Sequence, residues 1–321
     1  MLTTGVSQLD KRSPEVILEP NETYWDPARR PTSRIVFDNI ISKSDAMKSV
    51  ASGDGKVDIV TSLTPAEAKA FNGGDRAKIV SSPAMTVLVG IFNENKPGSV
   101  WANQALRQAM NMAVDRDAMV RDAAGGYGMV IPAMIQPGRY GFNKDVAAYK
   151  LDAAKAGPVI KGANIPGNTV IIAGGPGDAP VVEALTKDLA KVGLKVTSRL
   201  GDEAAQGKDW DIKLQFQFDW TPEFPVGVVH REFFGKDGGF RAMPVDAGFD
   251  ALYTELLQTD PSKQEPIVRK VEQYVHDKAD VLFLYSPNTM AAVSNRVHFV
   301  PYETFMLELA ETGVNKKASS N

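Results

Sequence analysis

The residues best able to do covalent chemistry in this sequence are few and widely separated. The chain has no cysteine, so it offers no disulfide, no thiolate zinc site and no cysteine nucleophile. Its three histidines, His230, His276 and His298, lack the spacing of metal ligands, and no G-x-S-x-G phrase provides a serine nucleophile. His276, near a predicted helix end, is expected to have a surface or capping role. We therefore predict no catalytic residue, no metal site and no cofactor.

Two further phrases could take part in chemistry, and each has a structural explanation. Asp209 and Asp211 in KDWDIK would share one face of a strand, but a turn or a sheet edge explains them equally well. The loop AGGPGDAP resembles a nucleotide-binding fingerprint, yet the sequence contains neither G-x-G-x-x-G nor a lysine-containing phosphate loop. We interpret this loop as a tight turn between a strand and a helix. A hydrolase remains a minor alternative.

Composition and charge narrow the class of protein. The chain of 321 residues carries a net charge of −3 without a basic stripe, which argues against a nucleic-acid partner. No apolar run approaches the roughly 20 residues needed to span a bilayer. The first residues lack a basic region followed by an apolar core, so they do not form a signal peptide. PEVILEP, close to the start, already has the pattern of a strand inside a domain.

Strands and helices alternate along the first part of the chain. RIVFDNI and KVDIVTSL have the β-branched alternation of strands, and AKIVSSPAMTVLVGIFN provides two more. Ser44 is predicted to cap a helix that ends at Gly53 or Gly55. Thr64 is predicted to cap the next helix, with Pro65 at its first position.

A long helix is predicted from Asn103, in NQALRQAMNMAVDRDAMVRDAAGGYG. Leu106, Met110 and Ala113 recur near the helical period and would form its buried face. The helix should end near Ala124, where glycines suit a left-handed terminus. A phosphate cradle needs glycines before a helix, so this stretch is not one.

The second half contains a β-α-β unit. NTVIIAGG and LKVTSRL are predicted strands that flank an amphipathic helix ending at Gly193. DWDIKLQFQFDW is strand-like, and the proline- and aromatic-rich TPEFPVGVVHREFFG is predicted to be a loop. Two helices, GFDALYTELLQ and DPSKQEPIVRKVEQYVHDKAD, precede two predicted strands, VLFLYSPN and MAAVSNRVHFV.

In this order the segments resemble the bacterial extracellular solute-binding proteins of family 5, the peptide-, nickel- and opine-type receptors of ABC importers. EVILEPNETYWDPARRPTSRIVFDNI is similar to the family's strand, N-x-x-Y-W turn and return strand. VGIFNENKPGSVWANQALRQAMNMAVDRDAMV resembles its most specific block, which ends in R-x-A-x-x-x-A-x-D-R on a helix. AKVGLKV, DWTPEFP and ADVLFLYSPNTMAAV follow in the expected places. The resemblance covers nearly the whole chain.

The resemblance implies an α/β, two-lobed periplasmic-binding-protein fold of class II, in its large cluster. It also implies that the N-terminal part of the first lobe is missing, because TTGVSQL matches the end of a phrase that lies well inside that lobe. Residues 1–97 would form the C-terminal half of the first lobe, 98–287 the second lobe, and 288–321 a return to the first lobe and a tail. The chain would cross between lobes near Asn93–Gly98 and Tyr285–Asn288.

The function implied is that of the substrate-binding component of an ABC importer. Such a monomer would capture a small polar solute, peptide-like by family precedent, and deliver it to a membrane permease from the periplasm. It would not be an enzyme. Arg107 and the pair Asp115–Arg116 would anchor their helix to neighbouring elements. A truncated paralogue that binds no solute is the principal alternative.

The resemblance also suggests where a ligand would bind. In peptide-binding members a W-x-A-D-Y phrase faces the cleft, and its acidic residue contacts the ligand's ammonium group. Here DWTPEFP would place Trp220 and Phe224 against the ligand and Glu223 at the acidic position. Pro222 departs from the pattern and leaves the register open. An aromatic core with a solvated Glu223 explains the phrase equally well.

A ligand anion would need a basic partner, and spacing alone does not identify it. His230 and Arg231, in HREFFG beside the predicted site, are both candidates, and a surface charge is the alternative explanation for each basic residue. The other basic candidates are Arg199, Lys213 and Arg241.

Overall fold

The computed structural model describes residues 3–4, 15–27, 30, 33–201, 207–218, 227–303, 307, 309 and 311–314. The chain divides into two compact units, one formed by Met1–Ala84 with Thr289–Asn321 and the other by Met85–Asn288. The chain therefore changes unit at Ala84/Met85 and at Asn288/Thr289. The expected first crossing, near Asn93–Gly98, lies later in the chain than the change seen here.

The described residues of the first unit form short strands and two helices. Its elements are β1 (Thr3–Thr4), β2 (Glu15–Glu19), β3 (Ile35–Asp38), α1 (Lys43–Ser52), β4 (Ile59–Val60), α2 (Pro65–Ala70), β5 (Ala77–Pro83), β12 (Val297–His298) and β13 (Gly313–Val314). Strands β1, β2 and β3 form an antiparallel sheet, and β12 pairs with β13.

Helix caps in this unit follow local chemistry. Thr64 and Glu67 form a capping box at the start of α2, with Pro65 at its first position, which confirms the predicted cap. The prediction that Ser44 caps α1 is wrong, because Ser42 has the extended backbone of a cap and its side chain accepts the Asp45 N–H. Ser44 lies inside the helix.

In the described part of the second unit, a sheet lies between two layers of helices. Its elements are β6 (Thr86–Phe92), α3 (Gln104–Met112), α4 (Arg116–Asp122), β7 (Gly128–Met129), α5 (Ala153–Gly162), β8 (Thr169–Gly174), α6 (Ala179–Lys191), β9 (Lys195–Leu200), β10 (Ile212–Phe218), α7 (Val228–Phe234), α8 (Ala247–Gln258), α9 (Glu265–Lys278) and the first part of β11 (Val281–Ser294). The strand order is β11-β6-β10-β8-β9, and the short strand β7 also pairs with β11.

Helices cover both faces of this sheet, whose strands run partly parallel and partly antiparallel. Strand β8 is parallel to β9 and to β10, whereas β6 is antiparallel to β10 and β11. Buried residues of α3, α5 and α6 join one apolar cluster with Leu88 of β6, and those of α7, α8 and α9 join a second with Val87 and Val89. Because successive strand residues face opposite sides, the clusters are the two cores of the unit.

The predicted helix from Asn103 is interrupted in the structure. Leu106, Met110 and Ala113 are fully buried, as predicted. Helix α3 nevertheless ends at Met112, and α4 begins after Asp115, whose carboxylate accepts the Ala118 N–H. The prediction of one uninterrupted helix is therefore wrong, because Asp115 acts as the N-cap of a second helix.

Two other elements also differ from their predictions. The two strands predicted after residue 280 form one strand, β11, which continues from the second unit into the first. The described end of the predicted loop TPEFPVGVVHREFFG is a helix, α7, because Val229, Phe233 and Phe234 are spaced to form a buried face. The predicted β-α-β unit is confirmed as β8, α6 and β9. Within the described residues, no helix combines the length and apolar character needed to cross a membrane.

Candidate functional site

The aromatic and acidic residues of the predicted ligand site lie in residues 219–226. Trp220, Glu223 and Phe224 therefore fall outside the described residues, and their roles stay predictions. The flanks of the segment are described. Strand β10 ends at Phe218, and α7 begins after Gly227, whose backbone is left-handed with φ 81°.

The strand order reverses between the parallel neighbours β8 and β10, and β10 is the strand that leads into this segment. From the carboxyl end of β8 the chain passes through α6 to β9, at one edge of the sheet. After the neighbouring parallel strand β10, the chain passes through α7, α8 and α9 to β11, on the other side. Open α/β sheets bind their ligands at such a switch point, outside the carboxyl ends of the strands. Residues 219–226 continue the chain from the carboxyl end of β10.

The side chain of Asp178 fills the glycine-rich loop after β8. The Asp178 carboxylate accepts the Gly175 N–H at 2.7 Å, and burial raises the pKa of this carboxyl. A Cβ at Gly174 would lie 2.5 Å from Asp178 Oδ2, so the turn accepts only glycine there without rearrangement. The loop is thus a tight strand-to-helix turn, as predicted.

The structure does not bring the basic candidates together through their described contacts. Arg231 is half exposed and forms an ion pair with the adjacent Glu232 at 3.4 Å. Arg199 pairs with Asp209 at 2.8 Å. Arg241 donates to the carbonyl oxygens of its own loop, and Lys213 lies within β10. Within the described contacts, these residues thus do not form a shared anion site.

His230, a candidate ligand residue, is fully buried in the second unit and pairs with Glu272, a partner that was not predicted. His230 Nε2 lies 2.6 Å from Glu272 Oε1, and both side chains are almost entirely shielded from solvent. Glu272 lies among the apolar residues Val268, Val271 and Val275 on one face of α9. The sequence signal for this pair was a carboxylate within the apolar stripe of a helix. Carboxylates are seldom buried without partners, so this position indicates a buried polar partner.

Asp209 and Asp211 precede β10 and do not lie within a strand. Of the two explanations, the shared strand face is therefore wrong, and the alternative of a turn remains. Lys96 Nζ lies 3.4 Å from Asp209 and 3.2 Å from Asp211. Asp211 also accepts the Ile171 N–H at 2.8 Å. A cation and a backbone donor thus hold these carboxylates as structural groups.

His276 occupies the last turn of α9, where its prediction placed it. Its ring is stacked on Tyr149, with 4.5 Å between ring centroids, so it is more buried than a simple surface residue. Among the described residues no group of histidine, aspartate and glutamate side chains could hold a metal ion.

Arg107 and Arg116 are structural anchors, as predicted. The Arg116 guanidinium donates to the Phe283 carbonyl oxygen at 2.7 Å and to the Asn111 carbonyl oxygen at 2.8 Å. Burial lowers the pKa of Arg116 to about 10. Arg107 forms ion pairs with Asp280 at 2.7 Å and Glu94 at 3.0 Å.

The two carboxylates that share Arg107 are themselves buried. Burial raises the pKa of Asp280 to about 6, although the neighbouring Arg107 lowers it. Burial also raises the pKa of Glu94, again against the effect of Arg107. The pKa of Asp280 is near 4 in the unfolded chain and about 6 in the folded protein. At a pH between these two pKa values, the folded protein binds a proton at Asp280 that the unfolded chain has released. Stability should therefore fall as the pH rises through this range.

Replacing Asp280 by asparagine should remove this dependence. From pH 4 to pH 7 we expect wild type to lose roughly 1–3 kcal/mol of unfolding free energy relative to Asp280→Asn. Urea denaturation at several pH values measures the difference. Glu183→Gln, at an exposed carboxylate paired with Lys187, is the control and should leave the shape of the profile nearly unchanged. Parallel profiles for wild type and Asp280→Asn would contradict the prediction.

Comparisons with known proteins agree on one class. The family profile described as bacterial extracellular solute-binding proteins, family 5 Middle, matches residues 1–231. The probable D,D-dipeptide-binding periplasmic protein DdpA of Escherichia coli is 23% identical over 303 residues, covering 89% of this chain and 57% of that protein. A dipeptide-binding protein of Pseudomonas aeruginosa is 22% identical over 311 residues, with 90% and 56% covered.

A solved structure extends the similarity to the fold. The ABC transporter substrate-binding protein CtaP of Listeria monocytogenes matches with a TM-score of 0.81 and 17% identity, covering 94% of this chain and 64% of that chain. The fold is thus the mixed α/β, two-lobed type of periplasmic substrate-binding proteins. The chain spans a little over half the length of these two curated relatives.

Proposed function

The chain belongs to the bacterial extracellular solute-binding proteins of family 5, and on that basis we propose that it captures a solute for an ABC importer. The match to the family profile carries this proposal, because it covers residues 1–231. A membrane permease would receive the solute, and the chain would act as a monomer in the periplasm or at the cell surface. Binding and release, without bond cleavage, would be its whole activity.

Short peptides are the solute class that we propose. The two relatives described above carry names that refer to dipeptides, and this supports the class without identifying the solute for this chain. A peptide has an ammonium group, a carboxylate and extended backbone, so it needs an acidic partner, a basic partner and flat apolar contacts.

Glu223, Trp220, Phe224 and Arg231 are the residues that we propose for this role. Glu223 would contact the ammonium group, the two aromatic rings would contribute apolar area, and Arg231 would approach the carboxylate. The position of residues 219–226 after β10 supports the assignment, because ligands of open α/β sheets bind at the switch point between two parallel strands. The half-exposed Arg231 has only the adjacent Glu232 as its ion-pair partner among the described contacts, so its guanidinium retains donors for a ligand.

The two compact units are proposed to correspond to the two lobes. The first lobe would include residues 1–84 and the return segment after residue 288, and the second lobe residues 85–288. Two chain crossings allow lobes of this kind to close on a ligand by hinge motion.

A thermal shift screen of the purified chain tests the solute class. Dialanine and trialanine are the probes, with hemin, a nickel–histidine complex and a monosaccharide as competing classes. A ligand present at about a hundred times its Kd stabilises the folded protein by about 2.7 kcal/mol, so a binder should raise Tm by several degrees. Peptides should do so, and calorimetry should then give the stoichiometry.

The other outcomes are equally informative. Stabilisation by only a non-peptide class would overturn the peptide assignment while leaving the receptor function. No stabilisation by any class would favour the non-binding paralogue. Turnover of a peptide, ester or glycoside substrate would overturn the proposal that the chain is not an enzyme.

A further inference from the structure

The two chain segments that lead out of the second unit lie on neighbouring strands. The unit begins at residue 85, directly before β6, and ends at residue 288, within β11. Strands β6 and β11 pair antiparallel, and their described ladder ends with Leu88 opposite Tyr285. A register irregularity lies directly before this pair, between Phe283 and Tyr285. The described ladder therefore ends before the two strands reach the boundary of the unit.

A buried glutamine joins the two strands beyond the end of this ladder. Gln136 is only 3% exposed, and its Nε2 donates to the Thr86 carbonyl oxygen at 3.0 Å and to the Ser286 hydroxyl oxygen at 3.3 Å. An amide group carries two N–H donors, so each acceptor can receive one of them. Thr86 is the first residue of β6, and Ser286 lies shortly before Asn288, where this unit ends. One side chain thus links both strands close to the points where the chain leaves the unit.

The backbone that carries this glutamine is itself held in place. The two preceding residues, Met134 and Ile135, donate their N–H groups to the buried Glu272 carboxylate of α9 at 3.2 Å and 3.1 Å. The Gln136 carbonyl oxygen accepts the Arg139 N–H at 3.2 Å, across a proline and a glycine with φ 83°. A proline followed by a left-handed glycine is typical of a type II turn. The amide therefore projects from a fixed base, which is needed if it is to restrain the strands.

Each strand end also has a partner of its own. Strand β7 pairs with β11 at Ser286, and β10 pairs with β6 at Thr86. Gln136 contacts these same two residues and so connects two strand ends that are each supported separately. Loss of the glutamine amide would leave both ladders in place, but the two strand ends could then move independently of each other.

We propose that Gln136 is a clamp at the second-unit end of the hinge, which holds the start of β6 and Ser286 of β11 together so that the two chain crossings bend as one. Two crossings that move separately permit twisting as well as bending, whereas two crossings held at a fixed separation favour bending in one direction. That the crossings act as a hinge rests on the proposed function. The clamp rests only on the contacts of Gln136 within the second unit.

Two substitutions release the clamp to different extents. Gln136→Met keeps the length of the side chain and removes both donors. Ser286→Ala removes one acceptor and leaves the contact with Thr86 in place. Gln264→Met is the matched control, because the Gln264 amide also donates to two carbonyl oxygens, at the end of α8, each at 3.1 Å.

Amide hydrogen exchange by mass spectrometry is the first measurement and needs no ligand. In Gln136→Met, peptides covering 84–90 and 284–290 should both exchange about tenfold faster, because two acceptors lose their donor and both strand ends open more often. In Ser286→Ala only the peptides covering 284–290 should exchange faster. Gln264→Met should leave both segments close to wild type. Unchanged exchange in Gln136→Met, or equal acceleration by Gln264→Met, would overturn the clamp.

The distance between the two units is the second measurement, and it tests the effect on the hinge. The chain contains no cysteine, so spin labels can be attached through Lys48→Cys and Lys187→Cys, at mostly exposed positions of the first and second units. Without ligand, pulsed electron paramagnetic resonance should give a broader distance distribution for Gln136→Met than for wild type. Gln264→Met should give the wild-type width. Equal widths for Gln136→Met and wild type would overturn the coupling of the two crossings.

Trialanine separates the clamp from the proposed function. Added to the labelled wild type, it should shift the distance distribution, because a ligand that closes the lobes changes the distance between them. If trialanine leaves the distribution of wild type unchanged, the peptide assignment fails. The comparison of Gln136→Met with Gln264→Met, made without ligand, then still decides whether the clamp exists.

Discussion

Replacing Arg107 by methionine should reduce the free energy of unfolding by about 3–5 kcal/mol, because it leaves two buried carboxylates without their cation. The guanidinium pairs with Asp280 at 2.7 Å and with Glu94 at 3.0 Å. It also donates to the carbonyl oxygens of Trp101 at 2.7 Å, Lys278 at 3.0 Å and Ala279 at 3.1 Å. Urea denaturation at pH 7.5 measures the loss, and Tm should fall by about 10 °C.

Acid should relieve part of this loss. Without Arg107 the buried Asp280 and Glu94 can still be neutralised by protons, and burial already raises the pKa of both carboxyls. We therefore expect Arg107→Met to be less damaging at pH 5 than at pH 7.5. Arg107→Lys should recover little, since an ammonium group cannot reproduce the fork of contacts to carboxylates and carbonyl oxygens.

Arg121 is the matched control for Arg107. It is also an arginine paired with an aspartate, Asp122 at 2.9 Å, but both side chains are mostly exposed. Exposed pairs contribute little to stability because water and salt screen their attraction, so Arg121→Met should change stability little. An Arg107→Met protein that melted within a degree or two of wild type at pH 7.5 would show that the buried network is not a structural anchor.

Local sequence signals predicted those elements whose cause is local. Thr64 and Pro65 mark the start of α2, and the apolar period of Leu106, Met110 and Ala113 marks the buried face of α3. The β-α-β unit follows from two short apolar runs around an amphipathic helix. In each case the neighbours that decide the conformation lie within one or two turns of the chain.

The misplaced elements depended on distant partners. The interruption between α3 and α4 coincides with the inward turn of Arg116, which donates to the carbonyl oxygens of Asn111 and Phe283. Phe283 is far from Arg116 in the sequence, so periodicity around residue 116 could not reveal the contact. The union of two predicted strands into β11 has a similar origin, because its successive parts pair with β6, β7 and β4.

The candidate site was predictable only through family resemblance. Composition and spacing indicated that the chain lacks catalytic motifs, but they did not identify Trp220 or Glu223 as ligand contacts. The pair His230–Glu272 could have been suspected from a carboxylate in an apolar stripe, although its partner required the fold. Buried polar pairs of this kind join residues remote in sequence and therefore leave weak local signals.

Glu223→Ala should weaken the binding of a peptide with a free ammonium group by more than tenfold. Loss of one charge-assisted contact in a closing cleft typically costs about 2–5 kcal/mol, because the ligand's cation is left without a counter-charge. Calorimetry with trialanine measures the change in Kd. Tryptophan fluorescence offers a second signal if Trp220 lines the same site, and Trp220→Phe should then reduce the ligand-induced change.

Glu183→Ala is the matched control for Glu223→Ala. Glu183 lies on α6, is mostly exposed and pairs with Lys187 at 2.8 Å, so its loss removes a carboxylate of equal charge without touching the proposed site. Both variants lower the net negative charge by the same amount, and long-range attraction of a cationic ligand changes similarly in both. A larger loss of affinity in Glu223→Ala therefore indicates a direct contact.

N-acetylated trialanine, which lacks the cation, should bind wild type and Glu223→Ala with similar affinities. Equal affinities of the Glu223 and Glu183 variants for trialanine would remove Glu223 from the site.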